Sequence, residues 1–156
     1  MEPIQIIGVH EAKLDEKGRF SFPAALKKQV EPFIADGFII KRSIFYTCLE
    51  LYLMPTWNNE IQTLSKLNRF VKKNNDFIRL FLAGSRQVYL DDNGRLLIPK
   101  DLINFAQLDK DIVLASSIDR IEIWSKAEYE NFLYQKSADF ASLSEEVMGH
   151  LNPPEL

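Results

Sequence analysis

The residues of this chain best suited to chemistry come in two matching sets. The stretch AKLDEKGRFSFPAAL, from Ala12 to Leu26, carries Lys13, Asp15, Lys17, Gly18 and Arg19. The stretch VYLDDNGRLLIPKDL, from Val88 to Leu102, carries Asp91, Gly94 and Arg95. A shift of 76 residues lays Leu14 on Leu90, Asp15 on Asp91, Gly18 on Gly94, Arg19 on Arg95, Pro23 on Pro99 and Leu26 on Leu102. An arginine guanidinium is a planar fork of donors that fits phosphate oxygens or the edge of a guanine. Lys17 adds a flexible point charge, and Gly18 lets the backbone come close to a phosphate. Residues of these types at this spacing would suit contact with a nucleic acid. Asn93 stands where the first set has Lys17, so the second set offers less positive charge and the first is expected to make most of the contact.

Other readings of the same residues stay open. Asp15 could bridge Arg19 inside its own turn, as Asp91 could bridge Arg95, and such a bridge is compatible with binding. Two aspartates at related positions also resemble carboxylate pairs that share a proton. Each, however, begins a turn that explains its presence. No histidine neighbours a nucleophile, and no glycine-rich phosphate loop occurs. We therefore expect no enzyme and assign no catalytic residue. His10 and His150 lack ligand spacing and Cys48 is the single cysteine, so neither a metal site nor a cofactor is expected. A protein-interaction module, either a scaffold ring or an antitoxin-like unit, is the competing class.

The elements that must position these residues repeat with them, and a repeat governs the organisation of the whole chain. Each unit begins with a strand, GVHEAKL or SRQVYL, followed by the turn DEKG or DDNG and a short strand, RFSF or RLLI. Asp15 and Asp91 at the start of each turn can accept from backbone N–H groups two residues on. Gly18 and Gly94 at its end supply positive φ. Proline then opens a short helix, where its missing N–H costs nothing, and Leu26 and Leu102 face inward.

Two further strands follow in each unit, GFIIKRS with CLELYLMP and DIVLASS with IEIWS, rich in β-branched and aromatic residues. Trp57, Ile61, Leu64, Leu67 and Val71 recur at three- and four-residue spacing and predict one amphipathic helix over 56–73. Ser125 and Glu128 are spaced as a capping box for a helix over 125–136. FIRLFLAG, 77–84, fits either a prolonged helix or a strand. The last dozen or so residues, ending HLNPPEL, read as a helical or fraying tail.

A chain of 156 residues with net charge −3 buries one core or two fused small halves. Its charge is uneven. Residues 1–85 carry 12 Lys and Arg against 9 Asp and Glu, and residues 86–156 carry 7 against 13. A local basic face can therefore exist on an acidic protein. No apolar run approaches the roughly 20 residues of a membrane span, and MEPIQIIGVHEAK lacks a basic start before a long apolar stretch. A cytoplasmic protein without membrane contact is the expectation.

The doubled Asp-x-x-Gly-Arg turn, with HEAKLDEKGR, RLFLAGSRQVYLDDNGRLLIP and DRIEIWSKAEYE around it, resembles the MraZ family over essentially residues 5–135. The resemblance implies an α+β fold, a duplicated AbrB-like swapped-hairpin β-barrel of the double-psi type with peripheral helices. Its first half would cover 5–83, its second 84–136, and a tail 137–156. It also implies a cytoplasmic, nucleoid-associated transcriptional regulator. Such a regulator would form a ring-shaped homo-oligomer and bind repeats in double-stranded DNA upstream of the division and cell-wall gene cluster. The family's DNA-binding pattern maps onto Asp15, Lys17, Gly18 and Arg19, and onto Asp91, Gly94 and Arg95. Lys13, just before the first turn, joins the candidates.

Overall fold

The two turn-bearing units fold into each other. In the structure, a computed structural model describing residues 3–151, β1 (Val9–Lys13) enters the first turn and β2 (Arg19–Ser21) leaves it. Around the second turn stand β5 (Arg86–Val88) and β6 (Arg95–Leu97). Pro23 and Pro99, held near the φ their rings impose, precede α1 (Ala24–Val30) and α4 (Lys100–Ala106). Leu26 and Leu102 on those helices are buried, as their spacing predicts. A 3₁₀ turn over Glu31–Asp36 leads to β3 (Phe38–Arg42) and β4 (Leu49–Leu53). Their counterparts are β7 (Asp111–Ser117) and β8 (Arg120–Ser125).

The fold is α+β, and its main sheet is wholly antiparallel, in the order β1-β7-β8-β4-β3-β5. The first strand of each unit pairs with the third strand of the other: β1 lies on β7 with Ala12 opposite Ile112, and β5 lies on β3 with Val88 opposite Phe38. The two short strands pair only with each other, as a β2-β6 ribbon. The expected barrel is therefore not closed. Three-residue β2 and β6 exhaust their ladder on one another and do not link the edge strands β1 and β5.

A pseudo-twofold axis relates the units. It passes through the ribbon where Phe20 faces Leu96, residues that the 76-residue shift makes equivalent. In the main sheet it passes where Glu50 faces Glu122 on the two central strands. Phe20, Phe22, Leu26, Phe38, Leu96, Ile98, Leu102, Leu114 and Ile123 belong to one buried cluster. The ribbon that carries both turns is thus held by the core shared between the halves.

The expected helix over 56–73 is interrupted. α2 (Met54–Ser65) ends, and α3 (Lys72–Leu82) begins after a turn of six residues, 66–71. Asparagine side chains compete there with the helical ladder. The Asn68 carboxamide oxygen accepts from the Phe70 N–H, Asn74 Nδ2 donates to the Asn68 carbonyl, and Asn75 Nδ2 donates to the Arg69 carbonyl. α3 absorbs most of FIRLFLAG, which settles that segment as helix.

After β8 come α5 (Lys126–Ser137) and α6 (Phe140–Met148). The chain divides into two compact units, Met1–Lys126 with both sheets and Ala127–Leu156 with α6 and nearly all of α5. The end of the expected tail, 152–156, lies outside the described residues. Among the described residues, no helix is long and apolar enough to cross a membrane.

Candidate nucleic-acid interface

Each Asp-x-x-Gly-Arg turn is fixed by its own aspartate. The Asp15 N–H donates to the Arg19 carbonyl at 2.8 Å, and the Gly18 N–H donates to the Asp15 carbonyl at 3.0 Å. Asp15 Oδ1 accepts from the backbone N–H of Lys17 and of Arg19, both at 2.9 Å, while Oδ2 accepts from Arg19 Nε at 3.0 Å. The second turn repeats every one of these bonds: Asp91 Oδ1 takes the N–H of Asn93 and of Arg95 at 2.9 Å, and Oδ2 takes Arg95 Nε at 3.0 Å. Gly18 and Gly94 both adopt the left-handed φ the turn demands, +86° and +74°.

This geometry is compatible with both roles that the sequence leaves open. The aspartate does bridge its arginine, but only through Nε. Among the described residues, nothing accepts from Nη1 or Nη2 of either arginine. The bridge orients the guanidinium and leaves its outer fork for another acceptor. Each aspartate carboxyl lies below its ordinary range, chiefly because the backbone N–H of Arg19 or Arg95 donates to it. In a proton-sharing pair one of the two carboxyls would instead be raised, and neither is.

The swapped pairing builds each tip from both halves. The Phe22 N–H donates to the Gly94 carbonyl at 3.1 Å, and the Ile98 N–H donates to the Gly18 carbonyl at 2.8 Å. The helix that follows each strand therefore rises beside the turn of the other half. At the first tip, a Cβ added to Gly18 would stand 2.9 Å from Ile103 Cδ1, on α4. At the second tip, a Cβ added to Gly94 would stand 3.0 Å from Lys27 Nζ, on α1.

Lys27 is absent from the candidates drawn from the sequence. The 76-residue shift pairs it with Ile103, which marks the position, but the exchange of helices between tips is visible only in the strand pairing. Lys13 does not join the tips in the same way. It sits opposite Asp111 in the β1-β7 ladder and forms an ion pair with that carboxylate. The Lys13 ammonium holds the Asp111 carboxyl below its usual range.

Beside the first tip lies a groove of about 890 Å³ whose lining includes Lys17, Gly18, Lys100, Ile103, Asp109 and Lys110. Its three lysines offset the carboxylates of Asp15, Glu16 and Asp109 around it. Among the described residues, no group of three His, Cys, Asp or Glu side chains is arranged to hold a metal ion.

Comparison with known proteins points to one family. The model of the MraZ protein family, antitoxin-like in its description, matches residues 81–150. The chain is 56% identical over 147 residues to the transcriptional regulator MraZ of Christiangramia forsetii, covering 94% of this chain and 95% of the relative. It is 54% identical over 150 residues to the transcriptional regulator MraZ of Flavobacterium psychrophilum, covering 96% of each chain. The transcriptional regulator MraZ of Cytophaga hutchinsonii is 38% identical over 141 residues, covering 90% of this chain and 93% of the relative. With such identity along nearly its whole length, this chain belongs to the MraZ family.

Proposed function

We propose that the protein is a DNA-binding transcriptional regulator whose two tips dock on repeated sites in the promoter region of its own operon, within the division and cell-wall gene cluster. One observation carries this reading: two arginines, each held by an aspartate through Nε with its outer nitrogens unbonded, stand on one short ribbon about a pseudo-twofold axis. Arg19 and Arg95 supply the forks, Lys17 a further cation, and Gly18 and Gly94 the close backbone approach. Asp15 and Asp91 set the turns. Most of the affinity comes from phosphate neutralisation, with base edges supplying register. The relatives' name, transcriptional regulator, supports the same reading. In this role the protein has no catalytic chemistry and works in the cytoplasm on the nucleoid.

The halves 5–83 and 84–136 act as two AbrB-like units of swapped-hairpin descent, followed by the tail 137–156. The working form is a ring-shaped homo-oligomer that presents many tips to repeated sites, so that weak contacts sum by avidity. Exposed apolar side chains support assembly: Phe45 and Ile118 on the strand connections, and Tyr134, Phe140 and Met148 on the last two helices.

The test is fluorescence anisotropy with duplexes from the DNA directly upstream of the gene, carrying one or several copies of its short repeat. Affinity should fall steeply with salt, by a slope of about 0.9 per phosphate contacted, and multiple repeats should bind far better than one. Equal affinity for single and multiple repeats would remove the avidity argument and leave the repeated turn unexplained, whereas an absence of salt-sensitive binding would favour a scaffold ring or antitoxin-like module.

A further inference from the structure

We infer that Lys27 is a DNA-contacting residue of the second tip, the cation that the turn around Arg95 lacks in its own sequence. The inference rests on the DNA-binding reading of the tips and adds a residue to it. At the first tip the turn carries its own lysine, Lys17, and the neighbouring helix contributes Ile103, an apolar side chain packed against Gly18. At the second tip the turn carries Asn93, and the neighbouring helix contributes Lys27 instead, with its ammonium against Gly94. Charge and apolar contact have changed places between turn and helix.

The position of Lys27 is fixed by the fold. The Phe22 N–H ties the residue after β2 to the Gly94 carbonyl, and α1 starts immediately after Pro23. The Lys27 N–H donates to the Pro23 carbonyl at 2.8 Å, so Lys27 stands one helical turn above the proline. Ile103 stands likewise above Pro99, with its N–H on the Pro99 carbonyl at 3.0 Å. Gly94 has no side chain to push the ammonium away, and a Cβ there would come 3.7 Å from Lys27 Cε as well.

The charge at this point is unspent. Lys27 is exposed, and among the described residues its ammonium has neither an ion-pair nor a hydrogen-bond partner. Both oxygens of Asp91 are taken up by the turn and by Arg95. An unpaired ammonium and the outer fork of a guanidinium therefore flank one glycine. A phosphate of the DNA backbone is the anion that a lysine beside such a turn meets when the tip enters a groove.

The experiment compares Lys27→Ala, Lys27→Arg, Lys17→Ala, Arg19→Ala and Lys73→Ala in the full-length protein. The probe is the multi-repeat duplex from directly upstream of the gene, titrated at several salt concentrations. Lys27→Ala should weaken binding about as much as Lys17→Ala, roughly tenfold, and lower the salt slope, while Lys27→Arg retains binding and Lys73→Ala, on α3, leaves it unchanged. The double variant Lys27→Ala with Asn93→Lys, which returns the charge to the turn, should recover most of the loss. Unchanged binding by Lys27→Ala, with Lys17→Ala and Arg19→Ala both impaired, overturns this inference and leaves the DNA-binding reading intact. Loss in none of these variants overturns the reading itself. Lys27 is exposed and unpartnered, so melts of its variants should coincide with wild type and keep the titrations interpretable.

Discussion

The two tips are alike in every backbone bond and unlike in what surrounds them. Both turns make the same five hydrogen bonds through Asp15 or Asp91, with lengths agreeing to 0.1 Å. Around that frame, the first tip has a lysine on the turn and isoleucine beneath it, and the second has asparagine on the turn and lysine beneath it. The backbone frame leaves little freedom, because it must hold a left-handed glycine and an oriented guanidinium. In the proposed role charge tolerates relocation, because a phosphate would respond to the local field and not to which segment supplies it. Judged along the chain, the second turn is electrically poor; judged in space, it is supplied from the opposite half.

The comparison is broken most severely by removing what the tips share. Phe20 and Leu96 face each other on the axis and are 1% and 0% exposed. Phe20→Ala should cost about 3–5 kcal/mol and Leu96→Ala about 2–5, read from chemical denaturation. DNA binding should fall at both tips together, because one ribbon carries them. A Phe20→Ala protein of unaltered stability that still binds normally would show that the tips are supported elsewhere.

Much of this arrangement is legible in the residues. The Asp-x-x-Gly-Arg spacing predicts the turn, the glycine conformation and the aspartate's bonds to the backbone, since all of these are local. Alternating apolar strands and the proline-led short helices are local signals as well. What the sequence leaves hidden is non-local. Nothing in β1 distinguishes β3 from β7 as a partner, so the exchange of first strands and the approach of α1 to the second turn need the assembled sheet. The open sheet follows from how few residues β2 and β6 have, a length that the resemblance to barrel proteins does not predict. The helix expected over 56–73 fails for a different reason: its apolar spacing continues through Leu67 and Val71, but Asn68, Asn74 and Asn75 satisfy the backbone better in a turn. Periodicity reports which face is buried, and it is silent about side chains that compete for backbone hydrogen bonds.

The glycines sharpen the comparison. Alanine at either position must adopt a left-handed φ, a strain of about 1–2 kcal/mol. At Gly18 the new Cβ would also stand 3.1 Å from the Ile98 carbonyl oxygen, besides 2.9 Å from Ile103 Cδ1, and backbone does not yield easily. At Gly94 it meets only the end of a lysine, which can swing aside. Gly18→Ala should therefore destabilise by about 2–3 kcal/mol and Gly94→Ala by about 1–2, measured by the same denaturation. Equal costs would mean that the two tips are packed alike after all.

The arginines come next. With Lys27 at the second tip, Arg19→Ala and Arg95→Ala should weaken binding to multi-repeat DNA by similar factors, about tenfold each. The sequence alone predicts inequality, with Arg19 dominant. Titration of both variants decides between them, and a dominant Arg19 would return the second tip to a structural role. Acid affects both tips in the same direction. Asp15 and Asp91 have carboxyls lowered below the ordinary value near 3.9. Their stabilisation is complete above that unfolded value and is lost as pH falls through the lower folded one. Thermal melts should hold steady from pH 7 to about pH 5 as far as these groups are concerned, and decline below about pH 4.

The smallest effect belongs to Lys13, which the sequence places beside the first tip and the structure pairs with Asp111. A lysine already neutralised by a carboxylate must break that pair before it can serve a phosphate, so its net gain on binding is small. Lys13→Ala should change affinity by less than about threefold, within the range of an exposed ion pair. Its signature should lie in acid stability instead. In the native protein Lys13 depresses the Asp111 carboxyl, a contribution present above the unfolded value near 3.9 and lost as pH falls through the lower folded one. Without Lys13 that part of the acid transition should shrink, while the part due to Asp15 and Asp91 remains. Paired melts of wild type and variant at pH 7 and pH 3 read the difference. If Lys13→Ala instead weakens DNA binding as much as Lys17→Ala, the lysine leaves Asp111 on binding, and the first tip gains a cation for which the second has no counterpart.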